Sequence, residues 1–144
     1  EMSTSHLLST HGVQMSVNNG TSGTIRALMR PEPFAQVLHA LLWNSLYWME
    51  GTARKMIRIK IDRTDRDTCH VIFQDNGPGI SDDVVDDIFE PGFTTKGGNR
   101  GMGLTVARSL LRREGGDISL MRDRRRARWT SFEITLKNKK PKIF

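Results

Sequence analysis

Apolar residues at 34, 37, 38, 41, 42, 48 and 49 follow the i, i+3, i+4, i+7 spacing of a helix with one face in a core. That helix is predicted over about residues 34–49, and Ala40, Asn44 and Tyr47 lie along a neighbouring ridge of it. Further on the period changes from helical to two. Residues 54–63 (RKMIRIKIDR) alternate Ile57, Ile59 and Ile61 with Lys and Arg, the signature of a half-buried strand. Residues 68–75 (TCHVIFQD) predict the next strand, with Cys69, Val71 and Phe73 on one side. Two earlier strands are predicted over residues 11–17 and 24–28, joined by a turn in which Asn18, Asn19, Gly20, Ser22 and Gly23 cluster. Ser81 reads as a helix N-cap with Asp82 and Asp83 in the first turn, opening a helix that carries Val84, Val85, Ile88 and Phe89. A glycine-rich stretch separates it from another helix over about residues 104–114, which Gly115 and Gly116 close. Residues 117–122 and 129–137 predict a final hairpin, and residues 1–10 the end of a helix.

Strands and helices do not alternate simply along this order, so a doubly wound fold is excluded. The expected fold class is α+β: a two-layer sandwich, its sheet mixed but mostly antiparallel, with helices on one face. A length of 144 residues suits one domain. Its expected extent is residues 12–137, preceded by the end of a helix or linker (1–11) and followed by a basic tail (138–144). No apolar run has the length of a membrane span, no signal peptide opens the chain, and Glu1 in place of Met suggests a piece of something longer. The lone Cys69 rules out an internal disulfide and suits a reducing compartment, so a cytoplasmic location is expected.

Net charge is +6, concentrated in residues 121–129 (MRDRRRARW) and 137–142 (KNKKPK). The run from Arg122 to Arg128 reads as a hairpin tip. It is either a solvated loop or a contact for an acidic partner or nucleic acid, although no aromatic residues interleave for base stacking.

Three segments carry candidate chemistry. FQDNGPGI (73–80) delivers the Asp75 carboxylate at the end of a strand, where it can accept a hydrogen bond from an exocyclic amine such as that of adenine; the glycines beyond let backbone approach a ligand. TTKGGNRGMGL (94–104) is a glycine-rich loop opening a helix, an anion site by its backbone N–H groups and helix dipole, with Lys96 and Arg100 adding charge. It is neither a P-loop nor a dinucleotide fingerprint. The third is Asn44, an amide within an apolar helix. Alone it is either bonded to nearby backbone or a ligand. With the other two segments it offers an oxygen to magnesium, which takes few protein ligands beside phosphates and water.

Together these segments resemble the ATP-binding domain shared by gyrase, heat-shock chaperone, histidine kinase and MutL proteins, the GHKL (Bergerat) family. The asparagine box resembles QVLHALLWNSLYW (36–48), the first glycine box DNGPGI, the phenylalanine box IFEPGFTTK (88–96), and the second glycine box GNRGMGL (98–104). The phenylalanine box, the GMGL ending and GGDISL (115–120) are most similar to sensor histidine kinases. The resemblance implies ATP and Mg2+ as cofactors, with Asn44 on the metal and Asp75 on the adenine amine. Gly77 and Gly79 would shape the base pocket. Residues 90–101 would cover the phosphates, with Lys96 and Arg100 touching them. Gly101, Gly103 and Leu104 would form the hinge and helix start beneath them.

The implied reaction is transfer of the ATP γ-phosphoryl to a histidine elsewhere, on a dimerisation segment or another domain of the same protein. The alternatives are a GHKL ATPase that switches a larger machine, or a nucleotide-binding module with weak turnover. Two departures weigh on this. The family places Glu, Asn or His one turn before the magnesium asparagine, and here that position is Ala40. A methyl cannot act as a base, which points to reduced catalysis, a replacement from elsewhere or a degenerate site. Gly92 stands where histidine kinases usually show a second aromatic, although Phe93 is kept. No phosphoacceptor box surrounds His6, His11, His39 or His70.

Overall fold

A computed structural model describes residues 4–21, 23–91, 103–122 and 129–138, and the backbone alone of residues 4–7 and 63. Gly92, Phe93, Lys96, Arg100 and Gly101, with residues 123–128 and 139–144, lie outside the described residues. The elements run α1 (Thr4–His11), β1 (Gln14–Asn19), α2 (Pro31–Trp48), β2 (Met56–Thr64), β3 (Thr68–Asp75), α3 (Gly103–Arg113), β4 (Asp117–Leu120) and β5 (Thr130–Lys137). The strands form one sheet in the order β1-β2-β3-β5-β4. β1 and β2 are parallel and every other pair is antiparallel. This is the mixed, mostly antiparallel α+β sandwich expected.

The parallel pair follows from connectivity, because α2 carries the chain across from β1 to β2. α2 begins three residues earlier than its apolar stripe. Pro31 and Pro33 fall in its first turn, where a proline forfeits no helical hydrogen bond and supplies the right φ. Its apolar stripe (Val37, Leu41, Leu42, Leu46) and that of α3 (Leu104, Ala107, Leu111) close over Ile57, Val71, Phe73, Phe132, Ile134 and Leu136 of the sheet. Cys69 is buried in the same cluster, and burial pushes its thiol pKa up, as befits a packed, unreactive side chain.

Two sequence expectations are corrected. Residues 24–28 are not a strand; only Ala27 bridges, to Asn138. β4 already holds that edge of β5 from Phe132 to Thr135, so residues 24–28 meet only its far end, where Leu28 N–H also donates to Lys137 O. Residues 81–90 are not an α-helix either. Their backbone bonds run from Val84 to Ser81, Asp87 to Val84 and Glu90 to Asp87, a succession of i→i−3 turns. Four aspartates and two adjacent valines, all weak helix formers, precede Pro91 there, and the apolar spacing alone does not overcome them. The turn after β1 forms as expected. Asn19 Oδ1 accepts from the Thr21 N–H at 3.0 Å, and Asn19 Nδ2 donates to Gly23 O at 2.8 Å.

Candidate nucleotide site

β3 is the middle strand of the sheet, flanked by β2 and β5, and Asp75 is its last residue, opposite Ile57 and Thr130. The side chain faces the helix layer and is 1 % exposed. A carboxylate in such a place needs donors, and it has two. The Ser45 hydroxyl donates to Oδ2 at 2.7 Å, and the Gly77 N–H donates to Oδ1 at 3.0 Å. Burial raises the Asp75 pKa, and these two hydrogen bonds oppose the rise without cancelling it.

Ser45 directly follows Asn44 on α2. Asn44 is 6 % exposed, and the hydroxyl that follows it is the one bonded to Asp75. Ser45 was not among the residues the motifs singled out. Its signal was present, a hydroxyl beside the asparagine in an otherwise apolar run, but its partner lies 30 residues away.

The segment after Asp75 explains its own composition. Asn76 Oδ1 accepts from the Met56 N–H at 2.8 Å, and its Nδ2 donates to Arg54 O at 2.6 Å, pinning the start of β2 to the end of β3. A Cβ on Gly77 would lie 3.0 Å from Asp75 Oδ1 and 3.1 Å from Met49 Cγ. Gly79 has φ +90°, a conformation that L side chains rarely adopt. Gly103 and Leu104 open α3, with Leu104 in the core. Asp75 thus bonds both Gly77 and Ser45, the residue after Asn44. Lys96, Arg100 and Gly101 lie outside the described residues, so the loop's charges are not among the positions the geometry describes. Ala40 sits half-buried against the core on the face of α2 one turn before Asn44, and its methyl offers neither a base nor a ligand.

Among the described residues no three His, Cys, Asp or Glu side chains stand close enough to cage a metal. A single neutral amide oxygen does not make a resident metal centre. It does fit a magnesium ion that arrives on a triphosphate with its other ligands already in place.

A mixed sheet with a buried carboxylate at its central strand end packs against a helix that carries a buried asparagine. Residues 29–140 match the histidine kinase-, DNA gyrase B- and HSP90-like ATPase family, and the chain belongs to it. Relatives include the sensor protein FixL of Bradyrhizobium diazoefficiens, 35 % identical over 81 residues, which are 56 % of this chain and 16 % of FixL. The sensor protein TdiS of Thauera aromatica is 36 % identical over 104 residues, 70 % of this chain and 19 % of TdiS. The chain therefore spans less than a fifth of the length of these relatives. In fold it is similar to the mycobacterial sensor histidine kinase MprB, with a TM-score of 0.76, 16 % identity, and coverage of 93 % of this chain and 90 % of that one. The catalytic domain of histidine kinase ThkA gives a TM-score of 0.75 at 22 % identity, covering 92 % and 85 %. The domain is of histidine-kinase type and binds ATP. Among the described residues no helix is long and apolar enough to cross a membrane.

Proposed function

We propose that this domain holds Mg2+-ATP for transfer of its γ-phosphoryl to a histidine on a dimerisation segment or another domain of the same protein. The observation that carries the reading is the Asp75 carboxylate, buried at the end of β3 and oriented by Gly77 and by Ser45, the residue after Asn44 on α2. Asp75 accepts the adenine amine, and Gly77 and Gly79 keep side chains out of the base's way. Asn44 lends its oxygen to magnesium, which supplies charge neutralisation between the phosphates. Gly103 and Leu104, at the positive end of α3, and Lys96, Arg100 and Gly101 before them, meet the phosphates. The catalytic unit runs over residues 12–137, after the end of a preceding helix (1–11) and before a basic tail (138–144), and works on the cytoplasmic side. A contact with an acidic partner or nucleic acid would fall to the run from Arg122 to Arg128, of which Arg122 is also paired with Asp86 of the same chain.

Ala40 favours a second reading, an ATPase switch or weak-turnover module, because no base stands one turn before Asn44. Phosphoryl transfer rests mainly on positioning and charge, so the kinase reading survives a missing base better than hydrolysis does. Incubating the full-length protein with γ-labelled ATP separates the two. Acid-labile, base-stable label on the protein is the expected result. Steady phosphate release with no labelled histidine would replace the kinase by the switch.

Ser45 provides a finer test. Ser45→Ala removes the donor to Oδ2, raises the Asp75 pKa further, and frees the carboxylate to rotate. ATP affinity is expected to fall about tenfold, the scale of one hydrogen bond to a charged group. Calorimetric titration checks it, and an unchanged affinity would reduce Ser45 to packing.

A further inference from the structure

Thr105 lies in the first turn of α3, and its hydroxyl leaves its own helix. It donates to Phe89 O at 3.0 Å and to Glu90 O at 3.2 Å, 16 and 15 residues upstream. Both acceptors belong to the segment before α3, so the hydroxyl makes a tertiary link. Three residues on, and therefore on the same side of α3, Arg108 lays its guanidinium over the Phe89 ring, 3.9 Å from the centroid. Arg108 is itself held by Ile118 O at 3.0 Å and by Asp117 at 3.4 Å. α3 thus grips both the backbone and the ring of Phe89.

The other side of that ring meets the sheet. Phe89 stands edge-on to Phe132 of β5, centroids 6.2 Å apart, and Phe132 pairs with Phe73 on β3, two residues before Asp75. Residues 81–90 are a run of turns rather than a self-supporting helix, so their end is placed by what grips it. A continuous path results: Asp75, β3, Phe132, Phe89, Thr105, start of α3. Its two ends are the two ends of the proposed ATP site, the base at Asp75 and the phosphates at Gly103 and Leu104.

Resting on that reading of the site, we infer that Thr105 is a positioning residue that sets the spacing between the base end and the phosphate end. A ligand held at both ends depends on that spacing. A ligand held only at the base end does not.

The test is a calorimetric titration of the full chain and its Thr105→Val and Thr105→Ser variants with a non-hydrolysable ATP analogue and with adenosine. Thr105→Val, which keeps the shape and loses the donor, is expected to bind the ATP analogue about tenfold more weakly, the scale of one hydrogen bond. Its affinity for adenosine should stay within about twofold, since the base end is untouched. Thr105→Ser should restore both. Amide exchange over residues 84–90 of the ligand-free chain should quicken in the valine variant alone. An equal loss for both ligands, an unchanged ATP analogue, or a serine variant that behaves like valine would overturn the inference while the ATP reading stood. An intact chain that bound neither ligand would overturn the ATP reading, and this inference with it.

Discussion

Asp75→Asn is expected to weaken ATP binding by at least about ten- to a hundredfold and at the same time make the folded chain more stable at neutral pH. The two effects have one origin. The carboxylate is 1 % exposed, and burial raises its pKa despite the bonds from Ser45 and Gly77. The native state therefore binds this proton more tightly than the unfolded chain, whose aspartate titrates near 3.9. Where the native state holds more protons, stability falls as pH rises. The charge thus costs stability across the window from the unfolded value up through the raised native one, and the full cost is present above it. An asparagine carries no such cost. Its amide still fits the site, since the Ser45 hydroxyl can rotate to accept from Nδ2. Urea denaturation should show the variant ahead at neutral pH and the two chains converging below about pH 4. For binding, the loss of a charged acceptor to the adenine amine is worth roughly 1.5–3 kcal/mol, about ten- to a hundredfold, before the misdirected Nδ2 donor is added. Calorimetric titration with an ATP analogue reads it. A variant that bound ATP normally would remove Asp75 from the site, and one that unfolded at neutral pH would make it a structural residue instead.

The second large effect is expected at Asn44. Asn44→Ala should leave the affinity for metal-free nucleotide within a few-fold and erase the gain that magnesium brings. Because several kcal/mol of charge neutralisation depend on a correctly held ion, turnover should fall by about 10³-fold, at 1.36 kcal/mol per decade. Among the described residues no group of three His, Cys, Asp or Glu side chains stands ready to hold the ion instead. The measurement is a pair of titrations with and without magnesium, followed by phosphoryl transfer at saturating ATP. Magnesium dependence that persisted in the alanine variant would assign the ion to other ligands.

Much of this was legible along the chain because it is local. The alternation of Ile57, Ile59 and Ile61 is written in period two, and Asp75 is visible as the place where the next strand meets Asn-Gly-Pro-Gly. What misled was local agreement without tertiary support. Val84, Val85, Ile88 and Phe89 have helical spacing, but the aspartates between them favour turns, and it is Thr105 and Arg108 that decide where the segment ends. Residues 24–28 have strand composition, but they meet the sheet only through Ala27 and Leu28, at the far end of β5. Ser45 escaped notice for a third reason. A serine in a helix is ambiguous until the strand 30 residues on is folded against it.

The strand order has a consequence for how the domain is made. β3 pairs on one side with β2, its neighbour in the chain, and on the other with β5, so that Thr68 faces Lys137. The wall that supports Asp75 is therefore closed by the last strand of the sheet. During synthesis the β2–β3 hairpin and α2 emerge early, but β3 keeps an open, apolar edge until residues 130–137 have left the ribosome. The site proposed for the ATP base is likewise incomplete until then. Contacts so far apart in sequence also make assembly slow compared with a local hairpin. A nascent chain stalled before residue 130 should be a client for chaperones rather than a partial nucleotide binder.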